Sequence, residues 1–372
     1  MTDAITKVTM PKWGLSMTEG RILEWLVEEG QDVRPGQELV EVETDKITGG
    51  VEAQVEGVLR RRVAGSGDAV PVGGLLAVVA DPAVPDADVE AFVESFAASF
   101  VPEEEGAETG PQPEVIELEG RRIRFVRQGE GDPVVLLHGF GGDLDNWLFN
   151  RDALAEVGTV WALDLPGHGG SSKDVGEGDL AELVGVLERF LDANGLESTH
   201  LVGHSLGGAV AIAYAAAHPD RIGSLTLIAS AGLGPEIDAA FIDGFVSAQS
   251  RKQLKPVLEM LFADPGLVTR RLVDDVLKYK RLDGVQEALG KLAGRLFAAG
   301  RQSEDLAPQL AELSAPVLVI WGRDDRVLPA EHARAVPEGA RAEVLQGAGH
   351  SPHMEAAGDA NRLIAEFLRG AG

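Results

Sequence analysis

The sequence contains no cysteine and is short of positive charge. Without cysteine, disulfides, thiolate metal sites and a cysteine nucleophile are excluded, so any dithiol chemistry must come from a cofactor, and we expect no metal. Lysine and arginine together number 33, against 60 acidic residues, which gives a net charge of −27. Such a charge repels phosphate, so it argues against binding to nucleic acid or to anionic membranes.

Long hydrophobic runs are also missing, since no stretch of eighteen apolar residues occurs. The first residues lack the charged start and apolar core of a signal peptide and the Arg- and Ser-rich character of a transit peptide, so we expect a cytoplasmic protein. The length of 372 residues and an apolar content of 44% predict two or three domains with substantial cores.

The first eighty residues contain a tandem repeat with an offset of 37 residues, in which Gly20 aligns with Gly57. The further matches are Ile22 with Leu59, Leu26 with Val63, Gly30 with Gly67, Val33 with Val70, Gly36 with Gly73, Leu39 with Leu76 and Val42 with Val79. These glycine and apolar positions determine turns and strand faces, so the repeat predicts two packed strand-turn-strand units. The repeat predicts that Lys46 lies at an exposed turn between them.

Most lysines are simply solvated surface residues. Here, however, Thr44-Asp45-Lys46-Ile47, with Met17-Thr18-Glu19-Gly20 before it, resembles the lipoyl domain of 2-oxo acid dehydrogenase complexes. The related biotinyl domains present Met-Lys-Met at this turn, whereas Asp45 and Ile47 flank the lysine here. The resemblance implies an all-β flattened barrel over residues 1–81, with lipoate amide-linked to Lys46; an unmodified Lys46 is the remaining alternative.

Residues 82–114 have the Ala-, Pro- and Glu-rich composition of a linker. Within it, apolar residues from Val89 to Phe100 recur at helical spacing, which predicts a short amphipathic helix. This helix either packs on one of the two domains, which we favour, or docks a partner enzyme. We find no room in this segment for a two-helix subunit-binding domain.

From residue 115 to 372, strands alternate with helices, which predicts a mainly parallel sheet covered on both faces. Residues 233–310 contain no strand-like run and form a helical insertion, which we interpret as a lid. Predicted strands are Arg122–Arg127, Val134–Leu137, Val160–Asp164, His200–Val202, Leu225–Ile228, Val317–Trp321 and Ala342–Leu345. Predicted helices are Leu144–Glu156, Leu180–Ala193, Leu206–Ala217, Glu331–Val336 and His353–Leu368, with Phe241–Gln249 and Leu289–Phe297 in the insertion.

The sequence Gly203-His204-Ser205-Leu206-Gly207 lies between a predicted strand and a predicted helix. A G-x-S-x-G string is informative in this context, because the two glycines permit a sharp turn that exposes the Ser205 hydroxyl above the sheet. A serine hydroxyl is a weak nucleophile, so it needs a nearby base and an acid that orients the base.

The acid and the base are expected to follow in that order. After the strand ending at Trp321, the spacing favours Asp325 as the acid, because it resembles the acid loop of α/β-hydrolases; Asp324 is the alternative. The predicted base is His350, in a glycine loop after the last strand. We expect His353 to start the final helix and His332 to belong to a surface helix.

The oxyanion hole is predicted to use the backbone N–H groups of Leu206 and Phe140. His138 and His168 are then structural residues. These motifs together resemble the α/β-hydrolase family from about residue 115 to the end. A lipoyl domain followed by such a domain resembles the dihydrolipoyl acetyltransferase components of acetoin dehydrogenase complexes.

That resemblance implies transfer of an acetyl group from lipoyl-Lys46 to coenzyme A through Ser205, Asp325 and His350. It also implies a thiamine-diphosphate-dependent acetoin dehydrogenase and a flavin-dependent dihydrolipoyl dehydrogenase as partners, and we expect a homo-oligomer. The chain departs from ordinary dihydrolipoyl acyltransferases, because it lacks their His-x-x-x-Asp-Gly motif. Two alternatives therefore stay open: a thioesterase or carboxylesterase that carries a lipoyl domain, and a non-catalytic carrier and scaffold.

Overall fold

The computed structural model describes residues 5–11, 19–44, 48–100, 111–336 and 339–371. Lys46, Asp45 and Ile47, and part of the Met17–Gly20 motif, lie outside these residues. The chain divides into two compact units, residues 1–110 and 111–372. In the described part of the chain, no helix has both the length and the apolar character needed to cross a membrane.

The N-terminal unit consists of two antiparallel sheets of four strands, in the orders β1-β8-β6-β3 and β5-β4-β2-β7. The strands are β1 Ile5–Thr9, β2 Glu19–Trp25, β3 Asp32–Val33, β4 Glu38–Glu43, β5 Thr48–Glu52, β6 Gly57–Arg62, β7 Ala69–Pro71 and β8 Leu75–Ala80. Alternating apolar side chains of both sheets, such as Ile22 and Leu59, are fully buried. The prediction of an all-β lipoyl-type domain is confirmed.

The sequence repeat is visible in the backbone of this unit. Gly30 and the equivalent Gly67 have φ angles of 90° and 92°, a conformation that favours glycine. The Gly30 N–H donates to the Leu59 carbonyl, and the Gly67 N–H donates to the Ile22 carbonyl, both at 2.7 Å. Because Ile22 and Leu59 are themselves equivalent, each copy completes the hydrogen bonding of the other.

Helix α1 (Asp86–Ser99) belongs to the N-terminal unit and packs against its strand β8. Val89 is buried with Leu75 and Val78 of β8, and the Asp86 carboxylate lies 2.5 Å from Arg60. These contacts favour the packed helix over the free docking segment as the explanation of its amphipathic pattern.

The C-terminal unit is built on an eight-stranded sheet in the order β16-β15-β14-β13-β11-β12-β10-β9, parallel from β16 to β12. Its strands are β9 Glu114–Leu118, β10 Arg121–Gln128, β11 Pro133–Leu137, β12 Thr159–Leu163, β13 Thr199–His204, β14 Ile222–Ile228, β15 Val317–Gly322 and β16 Arg341–Leu345. Its helices are α2 Arg151–Ala155, α3 Leu180–Ala193, α4 Leu206–Ala217, α5 Ala239–Ser247, α6 Arg251–Leu258, α7 Arg270–Lys280, α8 Val285–Leu296, α9 Ala307–Ala311, α10 Pro352–Glu355 and α11 Ala357–Ala371. The prediction of an α/β-hydrolase fold is confirmed.

Some predicted elements differ from the observed ones. The helix expected over Leu144–Glu156 is a 3-10 turn at Leu144–Trp147 followed by α2. The break occurs at Asn150, whose side chain donates to the His353 carbonyl at 2.9 Å and so fixes the intervening chain. The element expected at Glu331–Val336 is likewise a 3-10 turn, Ala330–Arg334.

Helices α5 to α9 lie between β14 and β15 and form the helical insertion. Their apolar faces are buried, as shown by Phe245 in α5, Leu277 in α7 and Leu289 in α8. The Phe245 ring packs 5.8 Å from the Phe140 ring, in the loop that follows β11. The insertion therefore lies over the carboxyl edge of the sheet.

Candidate active site

Ser205 occupies a strained turn between β13 and α4. Its φ and ψ angles are 50° and −115°, a conformation that non-glycine residues rarely adopt. A Cβ at Gly203 would lie 2.5 Å from the Gly207 carbonyl oxygen, and a Cβ at Gly207 would collide with the Leu137 carbonyl. The glycines are thus required by close backbone packing, as the motif predicts.

Asp325 and His350 form a buried pair. Asp325 follows β15 and His350 follows β16, and the His350 Nδ1 atom lies 2.9 Å from Asp325 Oδ2. The other carboxylate oxygen accepts hydrogen bonds from the N–H groups of Val327 at 2.8 Å and Leu328 at 3.0 Å. Because a carboxylate only accepts, Nδ1 carries the proton, and in the neutral ring Nε2 has the lone pair that a base needs. Asp324 is exposed.

His350 lies beside the turn that holds Ser205. The ring of His204, the residue preceding Ser205, is 4.9 Å from the His350 ring, and its Nε2 lies 2.9 Å from the His350 carbonyl oxygen. Burial lowers the pKa of His204 well below its ordinary value, with the charges of His353 and His350 adding to the effect. Burial likewise lowers the pKa of His353 to about 3. Two neutral rings therefore surround the predicted base.

The loop after β11 reaches the same turn. A Cβ at Gly139 would lie 2.9 Å from His204 Nδ1 and 3.1 Å from the Ser205 Cβ, so a larger residue would force the loop or the His204 ring to shift. Among the described residues, none accepts a hydrogen bond from the Phe140 N–H. Leu206 is the first residue of α4, so its N–H has no partner within the helix. Both predicted oxyanion donors are thus available beside Ser205.

His138 and His168 pack against this loop. His138 Nε2 accepts from the Leu165 N–H at 2.9 Å, and its Nδ1 lies 2.8 Å from the Gly139 carbonyl oxygen. The two rings pack edge to face with centroids 4.9 Å apart. Burial lowers the pKa of both histidines. These contacts agree with structural roles for both residues.

The positions of His332 and His353 differ from expectation. His332 was expected on a surface helix, but it is buried and its Nε2 lies 2.9 Å from the Glu236 carboxylate. The turn Ala330–Arg334 itself lies at the surface, since Glu331 and Arg334 are exposed, but the His332 side chain is covered by the chain around Glu236. His353 lies in the short helix α10 and not at the start of α11, and it is fully buried against the His204 ring, 4.5 Å away.

Two aspartates behind the oxyanion loop were not predicted, the fully buried Asp164 and the partly buried Asp143. Asp164 accepts hydrogen bonds from the N–H groups of Leu144 and Gly170, at 2.7 and 2.6 Å, and lies 3.2 Å from Arg124. Asp143 caps the 3-10 turn at Leu144–Trp147. Burial, then the charges of Asp145 and Asp164, raise the pKa of Asp143 to about 7. Nothing in the local sequence distinguishes such an acid from an ordinary turn residue.

No cluster of three or more His, Asp or Glu side chains that could hold a metal ion is found among the described residues. The aromatic side chains that close the site come from the insertion. Phe241 lies 6.4 Å from the His350 ring, and Phe245 and Phe297 each lie 5.8 Å from the Phe140 ring.

Comparisons with known proteins agree with this arrangement. A family described as the alpha/beta hydrolase fold matches residues 132–357, and a biotin/lipoyl family described as biotin-requiring enzyme matches residues 6–79. The chain is 48% identical to the dihydrolipoyllysine-residue acetyltransferase component of the acetoin cleaving system of Cupriavidus necator, over 100% of this chain and 99% of that protein. It is 50% identical to the protein with the same description from Pseudomonas putida, over 98% and 99% of the two chains.

The C-terminal unit is also similar to hydrolases. A solved structure of a meta-cleavage product hydrolase from Pseudomonas fluorescens superposes with a TM-score of 0.65 and 26% identity, and covers 70% of this chain and 98% of that one. A 2-hydroxy-6-oxo-6-phenylhexa-2,4-dienoate hydrolase from Comamonas testosteroni is 32% identical over 66% of this chain and 91% of its own length.

The raised pKa of Asp143 predicts a pH-dependent stability. Between about pH 4 and pH 7 the folded protein binds a proton that the unfolded chain has lost, so the free energy of unfolding falls as pH rises through this window. In Asp143→Asn this contribution disappears. Relative to the wild type, the variant should therefore gain stability, by as much as about 1.4 kcal/mol per pH unit, and the gain should level off above pH 7.

Denaturant unfolding at pH 5, 6, 7 and 8 measures the difference between the two proteins. The control is Asp220→Asn, which removes an exposed carboxyl of the same unit. If the difference in the free energy of unfolding between the wild type and Asp143→Asn stays constant across the series, the raised pKa of Asp143 is contradicted.

Proposed function

The chain belongs to the family of dihydrolipoyllysine-residue acetyltransferase components of acetoin cleaving systems, and on that premise we propose that it passes an acetyl group from a lipoyl group on Lys46 to coenzyme A. The observation that carries the proposal is the buried Asp325–His350 pair beside the Ser205 turn, in a chain that also contains a lipoyl-type unit. Neither carriage nor assembly alone requires such a set of side chains.

Transfer proceeds in two steps at Ser205. His350 Nε2 takes the hydroxyl proton as the Ser205 oxygen attacks the carbonyl carbon of an acyl thioester substrate. The bond to sulfur then breaks, and His350 returns the proton to the departing thiolate, which leaves an acyl-serine. The coenzyme A thiol next gives its proton to His350 while its sulfur attacks the acyl carbon. The bond from that carbon to the Ser205 oxygen then breaks, and His350 returns the proton to this oxygen, which restores the serine hydroxyl.

Both tetrahedral intermediates bear a negative oxygen, which the N–H groups of Phe140 and Leu206 stabilise. A single donor of this kind contributes about 10²–10³ in rate. Asp325 holds the His350 ring in the productive tautomer through the bond at Nδ1. Because the Asp325 carboxylate is itself held by two backbone N–H groups, the ring has little freedom to turn.

The lipoyl group supplies a thiol that accepts the acyl group, and Lys46 is the residue that would hold it. Strands β4 and β5 pair until Glu43 lies opposite Thr48, so the connection that includes Lys46 begins where the sheet ends. An amide-linked arm at the end of a hairpin can extend away from the sheet. Tethering raises the local concentration of the carried group at neighbouring active sites.

A carrier of this kind needs partner enzymes that load and reoxidise the lipoyl group. A thiamine-diphosphate-dependent acetoin dehydrogenase would load the arm, and a flavin-dependent dihydrolipoyl dehydrogenase would reoxidise it. The description of the relatives as components of a cleaving system supports such partners. Self-association of this chain is part of the same proposal.

The second candidate function is a thioesterase or carboxylesterase. It is favoured by the likeness of the C-terminal unit to hydrolases, which share the fold. The chemistry is the same until the acyl-serine forms, and only the acceptor, water or thiol, differs. The two functions are therefore separated by the product.

The nucleophile and the acceptor are tested with S-acetyl-dihydrolipoamide. We expect acetyl-coenzyme A as product, and Ser205→Ala should lose activity on the order of 10⁶-fold, because removal of the nucleophile removes the whole triad contribution. The readout is substrate consumption with and without coenzyme A, with products separated by chromatography. Equal rates without coenzyme A, with free acetate as product, would establish the thioesterase instead.

The acid is tested by a matched pair of neighbouring substitutions. Asp325→Asn should lower kcat by about 10⁴, because an amide no longer selects the Nδ1–H tautomer of His350. Asp324→Asn changes the adjacent, exposed carboxyl in the same way and should leave kcat within about twofold. A larger loss in the Asp324 variant would reverse the assignment.

The carrier role is tested by intact mass. Protein from cells supplied with lipoate should show a single lipoyl increment that is absent from Lys46→Ala. Another lipoyl protein in the same cells serves as the control for lipoate attachment. If that protein is modified and this chain is not, the carrier role fails and the serine hydrolase function remains.

A further inference from the structure

A cationic groove lies on the helical insertion of this otherwise acidic chain. It is an open depression formed by the start of α6, the residues just before it and α7, with a volume of about 900 Å³. Two aspartates line it, Asp274 and Asp275, so the local balance is positive, whereas the whole chain carries a net charge of −27. The six cations that line it are Arg251, Lys252, Arg270, Arg271, Lys278 and Arg281.

The cations of the groove are of two kinds. Arg251 is paired with Asp274, with Nη2 2.6 Å from Oδ2, and Lys278 lies 2.9 Å from Asp275. Arg271 also lies 3.6 Å from Asp275, so three of the six cations are paired with an aspartate of the groove. By contrast, three cations form no ion pair with any residue that the structure describes, and all three are exposed. They are Lys252, Arg270 and Arg281.

Clustered like charges without counter-ions raise the free energy of the folded state, and an anion that bridges them removes that cost. Guanidinium groups bind phosphate with two parallel hydrogen bonds, and a volume of about 900 Å³ is within the size range of small-molecule sites. The apolar floor is provided by Leu277, which is buried in α7. A nucleotide with several phosphates fits this combination of charge, size and floor.

We propose that this groove binds the pyrophosphate and the ribose phosphate of coenzyme A, an inference that rests on the proposed acetyltransferase function. The thiol of coenzyme A is joined to these phosphates by a long flexible arm. The cationic groove would hold the anionic end outside the catalytic centre, and the arm would carry the thiol to the acyl-serine at Ser205.

The distance from the groove to the catalytic centre is compatible with phosphates bound in the groove and a thiol that reaches Ser205. Gln249 lines the groove and follows Phe245 by four residues, so their Cα atoms are within about 14 Å of each other. The Phe245 ring lies 5.8 Å from that of Phe140, the predicted oxyanion donor. The two regions therefore lie within the reach of an extended small molecule.

Lys280 connects the groove helix α7 to helix α5, which packs beside the catalytic centre. This buried residue is next to Arg281, and its Nζ donates to the Phe245 carbonyl and lies 4.9 Å from the Phe245 ring. Gln286 donates to the neighbouring Val246 carbonyl at 2.6 Å. Helix α7, which carries three of the six cations, thus contacts the helix that packs on the oxyanion loop through Lys280.

The test replaces Lys252, Arg270 and Arg281 together by Gln, because none of these three leaves a paired carboxylate behind. The control variant replaces Arg122, Arg334 and Arg369 by Gln, three exposed cations elsewhere in the same unit, so that the net charge changes equally. We expect the groove variant to raise the KM for coenzyme A about tenfold or more and to reduce its dependence on salt, because screened charge contacts are lost. The control variant should keep the wild-type KM.

Binding is also measured directly, in the full chain with Ser205→Ala, by calorimetry with coenzyme A, dephospho-coenzyme A and pantetheine. Affinity should fall in that order, and the groove substitutions should remove the difference between coenzyme A and pantetheine. This measurement does not depend on turnover, so it separates the groove from the proposed function. If coenzyme A binds as predicted but only acetate is released, the transferase function fails and the groove stands.

Three results would overturn the proposal. One is equal affinity for pantetheine and coenzyme A in the wild type. Another is a groove variant that loses kcat while its KM for coenzyme A is unchanged. The third is a groove variant that binds coenzyme A normally but no longer associates with an acidic partner protein, which would make the groove a protein-docking surface.

Discussion

The backbone of Ser205 is the constraint on which the C-terminal unit depends. Its positive φ costs about 1–3 kcal/mol, so it persists only because its surroundings hold it. The Ser205 N–H donates to Ile228 and its carbonyl accepts from Ala231, both at 3.0 Å, which ties the turn to the end of β14. The glycines before and after it let β13, α4 and the oxyanion loop approach each other more closely than any other residue would permit.

The electrostatics of the unit follow from burial. The histidines around the catalytic centre, His138, His168, His204 and His353, all have pKa values lowered by desolvation, so they hold their neighbours by hydrogen bonds and ring contacts without adding charge. The same effect raises the pKa of Asp143, behind the oxyanion loop, to about 7. Unpaired positive charge occurs instead in the groove on the insertion, where the cations are exposed and solvated by water.

Sequence reasoning succeeded where local signals and tertiary structure agree. Helix α3 begins and ends where predicted, because Asp179 caps it and its apolar residues follow a helical period. The fold class was predictable for the same reason, since each motif followed a recognisable strand.

The predicted helix over Leu144–Glu156 failed, because a long-range hydrogen bond at Asn150 overrides local preference. Strand β9 was missed because its exposed glutamates, such as Glu114 and Glu117, resemble a solvated spacer. The raised pKa of Asp143 depends mainly on burial by the folded chain, and the groove depends on how α6 and α7 pack together, so neither was predicted from the sequence.

The crossed hydrogen bonds of the N-terminal unit have an evolutionary consequence. The donor at Gly30 needs the acceptor at Leu59, and the donor at Gly67 needs the acceptor at Ile22, so each copy of the repeat supplies the acceptor for the donor of the other copy. A single 37-residue ancestor would have been complete only as a symmetric pair of identical chains. Gene duplication and fusion would then have joined the two partners, and the segment that linked them is the one that now contains Lys46.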